Sequence, residues 1–530
     1  MLEPSGTDSP ATAAPPLPAF DRAAWGHAAL AAAMVGALFL LQGRLNVNLA
    51  DEGFLWYGVE RTAQGAVPLR DFYAYDPGRY YFAAAFLALF GPGVVMLRIA
   101  NAAFQVFGLW CGLRVAARTV RTRLGIAWVG VLLLLWMYPR HKLYEPSLAM
   151  AAVWVGTRLL ERPTRGRHFA AGAFVGLAAF FGKNHALYAG CAFALLLAAL
   201  WWQRSRDRPV ALGALVAGGV AGSLPLLAML VAVPGFAAAY VGVLRGFVAA
   251  GRTNLGLPFP WPWRVALSPG PWPEKTLLVT AGVGLLVVPL VYLVTLLRGL
   301  WRRGADLAPR AAVLAASAVG LFYLHHAYAR ADSFHLAQAI HPALLVLVLA
   351  AGAASARASR WVVAGALAAF TLCGAVPEMP LVQRWAATAP GDRYVEATVG
   401  VDRLSVPART ANLLVGARAV LERTPCAVTA VLPHLPGLYP ALGRVSPVWD
   451  IYPIWPAAGE RDRRMRDELD SGRADCILRD DYLSAGEDAF DANYPVTAAG
   501  IRREFAPVPT PELPQKLRLW RRIGVPQPAG

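Results

Sequence analysis

The chain has 530 residues, is 57% hydrophobic and only 16% charged, with a mean hydropathy of +0.43, which excludes an ordinary water-soluble globule. Runs such as 210–233 and 276–297 meet the ~20 apolar residues needed to cross ~30 Å of hydrocarbon, so the sequence predicts a polytopic α-helical membrane protein. The net charge of +17 is not a nucleic-acid surface, because its arginines fall in short clusters between apolar runs, the pattern of cytoplasmic turns.

Those clusters set the topology. They are Arg114, Arg118, Arg121 and Arg123; Arg158, Arg162, Arg165 and Arg167; Arg204, Arg206 and Arg208; Arg298, Arg302, Arg303 and Arg310; and Arg357 with Arg360. Residues 1–24, rich in Pro and Ala, are expected to be a disordered cytoplasmic N-terminus. The first span covers 25–42, and the acidic loop 46–79 lies outside. The apolar run 82–113 is too long for one straight span and is interrupted at Gly91-Pro92-Gly93, which predicts a half-helix and then one span. Further spans fall at 125–138, 147–160, 169–182, 186–202, 210–233, 276–297, 311–328, 336–354 and 361–376. That makes about eleven transmembrane helices within 25–376, with the C-terminus outside. No small-residue cleavage site follows the first apolar run, so it reads as a span rather than a signal peptide.

From residue 377 charge and turn residues rise. Short apolar strands in "CAVTAVLP" and "ADCILRDDYL" flank the charged, helix-like "GERDRRMRDELDSG", which predicts a small extracytoplasmic α/β domain over 377–530. Cys111, Cys191 and Cys373 sit in or beside spans and read as packing residues. Cys426 and Cys476 lie on the outer side, each at a strand, and a disulfide between them is left open. No closely spaced cysteine pair suggests zinc. No internal repeat is evident, which weakens an inverted-repeat transporter reading. The lack of an Asn-x-Ser/Thr sequon is compatible with a bacterial inner membrane.

Polar residues collect on the outer side. The first loop carries Asp51, Glu52, Asp71, Asp76 and Arg79, and the second His141, Lys142 and Glu145. The third carries Lys183, Asn184 and His185. The long loop 234–275 has Arg245, Arg252 and a Trp/Pro-rich stretch, and the fifth has His325, His326, Arg330, Asp332, His335 and His341. Acids near hydrocarbon are costly and ask for a reason. One use is an acid that works on a hydroxyl beside cations that hold an anionic lipid headgroup. Structural uses compete with it. Asp51 is a good helix cap, Asp71 can pair with Arg70 or Arg79, and Asp76 can form a turn before its proline. Glu145 can open a helix, Lys183 can snorkel, and Arg330 can pair with Asp332. His335 and His341 are six apart and share no helix face, which argues against a two-histidine metal site. His325 and His326 read as packing or interface residues, and Trp261 and Trp263 as membrane-interface anchors.

The stretch "LADEGFLWYGVERTAQGAVPLRDFYAYDPGRYYFAAAFLALFGP" resembles the first external loop of the GT-C glycosyltransferases, the superfamily of aminoarabinose transferases, protein O-mannosyltransferases and oligosaccharyltransferase catalytic subunits. Asp51-Glu52, Gly65 to Pro68, and Asp76-Pro77 with Tyr80-Tyr81 carry the likeness. "LYEPS" is similar to a second acidic loop, with Glu145 in the acid's place. "GLAAFFGKNHALYA" is similar to the segment whose lysine faces a lipid phosphate, and "RADSFHLAQAIHPALLVL" sits where the family has a basic residue before a proline-marked span.

The resemblance implies a GT-C-like fold and a polyprenyl-phosphate-linked sugar donor. It implies Asp51 as general base on a hydroxyl of a lipid, glycan or protein acceptor, with inversion at the anomeric carbon. Glu52, Asp76 and Glu145 would position sugar or acceptor. A divalent cation, Mg or Mn, held by Asp51 and Glu145 is an open option. Lys183, Arg330 and His335 are the candidates for the donor phosphate. The setting implied is the outer face of a bacterial inner membrane. Two departures argue against assigning lipid A, protein-mannosyl or oligosaccharyl chemistry: Lys183 is followed by Asn184-His185 rather than glycine, and the fifth loop reads "ARADSFH". Alternatives are a transporter or lipid-linked sugar flippase, whose acids should lie near mid-span, and a non-catalytic scaffold. Sugar, acceptor and oligomeric state stay open.

Overall fold

The computed structural model describes residues 22–203, 211–251, 256–301, 307–424, 426–455, 459–480 and 489–524. The N-terminal tail up to residue 21 and Arg204, Arg206, Arg208, Arg252, Arg302 and Arg303 lie outside the described residues.

The apolar runs fold as helices, the form in which a chain in hydrocarbon satisfies its own backbone. In order they are α1 (Arg22–Gln42), α2 (Asp51–Ala63), α3 (Pro77–Phe90), α4 (Val94–Ala116), α5 (Arg123–Leu135), α6 (Tyr144–Glu161), α7 (Arg165–Phe181) and α8 (Lys183–Gln203). They continue with α9 (Leu212–Ala232), α10 (Phe236–Ala250), α11 (Pro262–Leu267), α12 (Trp272–Trp301), α13 (Ala311–Ala329), α14 (Ser333–Ala339), α15 (His341–Ala353) and α16 (Arg357–Gly374). The break between α3 and α4 falls at Gly91 and Gly93, with φ of 103° and 121°, a region that side chains disfavour.

Among the described residues seven helices are long and apolar enough to cross a membrane: α1, α4, α8, α9, α12, α13 and α16. The number is nine if each of two bent pairs counts as one span, α5 with α6 at 106° and α14 with α15 at 58°. All eleven segments expected from sequence are helical. The counts part at α5, α6, α7 and α15, which have 13, 18, 17 and 13 residues. An ion pair of 2.6 Å joins Arg118, in the turn from α4 to α5, to Glu161 at the end of α6, so α5 and α6 run out and return to the same face. In the bundle α4 and α13 are the most enclosed of the crossing helices and α1 the least.

Glycines bring α7 and α9 into backbone contact. A Cβ at Gly172 would sit on the Leu215 carbonyl, one at Gly176 on the Gly219 carbonyl, and one at Gly222 on the Ala173 carbonyl. Small residues four apart are how helices pack closely where lipid removes the hydrophobic drive. This contact fixes the end of α7, where Phe181 leads into Lys183.

The C-terminal region holds α17 (Pro380–Ala386), an antiparallel hairpin of β1 (Tyr394–Val399) and β2 (Asp402–Pro407), and α18 (Ala408–Arg423). A four-stranded sheet follows, made of β3 (Thr429–Leu432), β4 (Cys476–Asp480), β5 (Phe505–Val508) and β6 (Leu517–Arg522), in the order β3-β4-β6-β5. The strands β3 and β4 are parallel, with the charged helix Gly459–Ser471 in the crossover. Cys426 and Cys476 form a disulfide. This region shares its core with the first loop: Phe54, Trp56 and Tyr73 pack with Leu438, Tyr439, Trp449 and Tyr452. Backbone bonds fasten the join, Tyr73 N to Trp449 O at 2.7 Å and Gly437 N to Leu49 O at 2.8 Å. At Gly53 a Cβ would overlap the Gly437 backbone.

Candidate active site

Two acids open α2, and they face different partners. Asn48 prepares the helix start, its Oδ1 accepting from the backbone N–H groups of Ala50 and Asp51 at 2.9 and 3.0 Å. Asp51 itself does not cap, contrary to the structural use read from sequence. It is partly open, and its Oδ1 accepts from the Tyr452 hydroxyl at 3.1 Å. Burial alone would raise its carboxyl. His141, Lys142, the Tyr452 hydroxyl and His434 outweigh that and hold it below the usual range.

Glu52 is buried and spoken for. Its two oxygens take Nε and Nη2 of Arg98 at 2.8 Å each, and the Asn48 N–H donates to Oε2 at 3.2 Å. Burial opposes its charge, but Arg98 and Arg140 prevail and bring its carboxyl down to about 2. Arg98 also donates to the Gly43 and Asn46 carbonyls at 2.8 and 2.7 Å, so the pair pins the loop after α1 to α4. A cleft of about 270 Å³ opens beside this loop, bordered by Asn48, Glu52, His141, Phe334 and Glu378.

A second charged layer lies at the starts of α3, α6 and α8. Asp76 precedes α3 and pairs with Lys183, whose Nζ is 3.1 Å from both oxygens and whose N–H donates to Oδ2 at 3.1 Å. Arg79, one turn on, donates to Glu145 Oε1 at 2.6 Å, to the Phe181 carbonyl at 2.7 Å and to His185 Nε2 at 3.2 Å. A guanidinium only donates, so His185 Nε2 accepts and its Nδ1–H is left for the Tyr323 hydroxyl at 3.0 Å. Glu145 keeps a second oxygen, Oε2, buried without a hydrogen bond. Above this layer Lys142 Nζ lies 3.9 Å from the Tyr75 ring centre.

The fifth loop forms a third group. Asp332 caps α14 and pairs with Arg330 at 3.0 Å and with the His335 ring at 2.8 Å. His326, expected to pack, donates from Nε2 to Gln338 Oε1 at 2.8 Å and lies 5.7 Å, ring centre to ring centre, from His335. His341 is buried against the Leu133 carbonyl, and His325 bonds the Tyr188 hydroxyl. Asp71 pairs with Arg70, one of the two partners read from sequence.

The charged loops therefore meet at one end of the bundle, under the C-terminal region. Asp51, Asp76 and Glu145 come together there, with Lys142, Lys183 and Arg79 among them, while Glu52 turns away to Arg98. Sequence reasoning missed Arg98, Tyr452 and His434, gave Lys142 no role, and offered Arg79 only as a partner for Asp71, whereas it pairs with Glu145. Arg98 had a visible signal, a lone arginine inside an apolar span. Tyr452 and His434 had none, since they reach Asp51 only through the fold. Among the described residues no group of three His, Cys, Asp or Glu side chains could hold a metal. Asp51 Oδ1 takes the Tyr452 hydroxyl and Glu145 Oε1 takes Arg79, which leaves one oxygen of each acid without a hydrogen bond among the described residues.

Fold and site together define a multi-pass helical membrane protein with a charged chamber beneath a C-terminal α/β region. By structure the chain is similar to ArnT from Cupriavidus metallidurans in the apo state, with a TM-score of 0.43 and 15% identity over 95% of this chain and 100% of that one. It is also similar to the same protein bound to undecaprenyl phosphate (TM-score 0.42, 15% identity, 95% and 99% covered). A third likeness is to the Archaeoglobus fulgidus oligosaccharyltransferase in complex with Zn and sulfate (TM-score 0.45, 12% identity, 90% and 71% covered). No protein-family model matches the sequence, and no curated protein matches it. The functional reading below rests on this chain's own residues.

Proposed function

We propose that this protein is a membrane glycosyltransferase that moves a sugar from a polyprenyl-phosphate donor to an acceptor hydroxyl at the outer membrane face. The observation that carries the reading is the setting of Asp51. It is a partly open carboxylate, ionised at neutral pH, with one oxygen held by Tyr452 and with Lys142 close by.

In this reading Asp51 takes the proton of the acceptor hydroxyl as its oxygen attacks the anomeric carbon. The bond from that carbon to the phosphate oxygen breaks, and polyprenyl phosphate leaves with the electron pair, with inversion at the sugar. Cations are needed where that charge collects. Lys183, Arg330 and His335 are each paired with an acid of the chain, so a phosphate there would replace an internal ion pair. Among the described residues Lys142 makes no ion pair and rests on the Tyr75 ring, which favours it as a phosphate contact. Arg79 and Glu145 hold the floor of the chamber, and no step is assigned to Glu52 or to a metal.

The disulfide supports an extracytoplasmic C-terminal region, since such bonds persist in oxidising compartments, and the basic clusters support the opposite side as cytoplasmic. A bacterial inner membrane, with the site facing the periplasm, fits both.

The test is consumption of radiolabelled polyprenyl-phosphate sugars by membranes carrying wild type or Asp51→Asn at equal expression. Wild type should consume one donor and the variant at least ~100-fold less, the low end for loss of a general base. Equal consumption removes Asp51 as the base. If wild type consumes none while donor lipid crosses the bilayer faster, the flippase reading replaces this one.

A further inference from the structure

We propose that Tyr452, supplied by the C-terminal region, is a positioning residue for Asp51, its hydroxyl holding Oδ1 so that Oδ2 is left for the acceptor hydroxyl, with His434 holding the Tyr452 ring. The proposal rests on the reading of Asp51 as the base, and it extends the site to residues far away in sequence.

The geometry is specific. Tyr452 is buried, and its hydroxyl donates to Asp51 Oδ1 at 3.1 Å. Among the described residues no hydrogen bond reaches Oδ2. A carboxylate with one oxygen engaged and one free has lost a torsional freedom that would otherwise be spent in reaching the transition state. The Tyr452 ring is itself fixed on three sides, by Phe54 at 5.4 Å, Trp455 at 5.3 Å and a stacked His434 at 5.7 Å. His434 is fixed in turn by its backbone N–H, which donates to Asp480 at the end of β4 at 3.1 Å. A run of contacts thus leads from the sheet through Asp480, His434 and Tyr452 to the carboxylate.

Other groups face Asp51. His141 and Lys142 come from the turn between α5 and α6, Tyr75 from the first loop, and Glu52 is its neighbour on α2 but is held by Arg98. Burial pushes the His434 imidazole down to about 4, so at neutral pH it carries no charge to Asp51 and acts through the stacked ring. Lys142 supplies positive charge, and Tyr452 is the group that fixes direction.

The substitution Tyr452→Phe keeps the ring and its neighbours and removes only the donor. Asp51 protonation is read by infrared difference spectroscopy on protein with carboxyl-labelled aspartate, its band defined by loss in Asp51→Asn. In wild type the band should titrate below the ordinary 3.8. In Tyr452→Phe its midpoint should rise by about one pH unit, the scale of one hydrogen bond to a charged group. Turnover of the accepted donor should fall in kcat with donor KM unchanged, and its acid limb should move to higher pH. An unmoved midpoint in folded Tyr452→Phe overturns the proposal whatever Asp51→Asn does. Full transfer by Asp51→Asn overturns the base reading and the role built on it, even where the midpoint moves. Should Tyr452→Phe fail to fold, a ring-fluorinated tyrosine at 452, a stronger donor of nearly the same shape, should move the midpoint down. No movement there overturns the proposal as well.

Discussion

The side chains of Asp51 and Glu52 leave the first turn of α2 toward different partners, one partly open and one closed off by a guanidinium. Both sides of the Arg98–Glu52 pair are nearly without solvent, at 2% and 4% side-chain exposure. Removing one partner of such a pair strands the other's charge, at a cost of about 3–5 kcal/mol. Glu52→Gln should therefore lower the thermal midpoint of the purified protein at neutral pH, while Asp51→Asn should leave it close to wild type. The sign with pH follows from the depressed carboxyl of Glu52. Its contribution is complete above the ordinary 4.5 and is lost as pH falls toward about 2. The melting curves of wild type and Glu52→Gln should draw together as the buffer is taken from above 4.5 down toward about 2, the window set by that shift. A constant gap across it would mean that Glu52 is not ionised in the fold. The two acids were legible in sequence because charge beside an apolar run stands out. Their division of labour was not, because Arg98 is 46 positions from Glu52 and Tyr452 is 401 from Asp51.

Among the elements, α7 shows how bundle packing sets the chamber. Its carbonyl at Phe181 accepts from Arg79, and Lys183 follows two residues later. What holds α7 in place is the glycine contact with α9. Gly172→Leu or Gly176→Leu should separate the helices and lower thermal stability, and it should weaken donor consumption through Arg79. Gly213→Leu on α9, where nothing lies within 4 Å, is the control and should change neither. A loss as large in the control would show that α9 tolerates no bulk anywhere and that the contact is not special. Helix positions were readable from sequence wherever apolar runs had clear ends, as at Gly91-Pro92-Gly93. The bends were less so: residues 123–161 read as two separate spans, but nothing in their pattern gives the 106° at which α5 meets α6. Gly172 and Gly176 stand in plain view, but their partner helix does not.

At the scale of the whole molecule the C-terminal region is continuous with the first loop rather than appended to the bundle. Its α/β character was visible in the alternation of short apolar strands and a charged helix, whereas its docking on α2 depends on Gly53 and Gly437 meeting, which no periodicity announces. The disulfide ties Cys476, at the head of β4, to Cys426, across a separation of 50 residues. Closing a loop of that size stabilises by about 2–4 kcal/mol. Cys426→Ser should make the C-terminal region sensitive to protease at a lower temperature than the bundle, and only wild type should change mobility on a gel when reduced. Equal mobility with and without reductant would mean that the bond does not form in cells. The shared core also bears on how the protein is made. Asp51 is made before Tyr452, with the helices of the bundle between them in the chain. A chain whose C-terminal region had not yet docked would hold an acid with no tyrosine against it, so on the reading proposed above transfer would reach its full rate only once that region has folded back on the first loop.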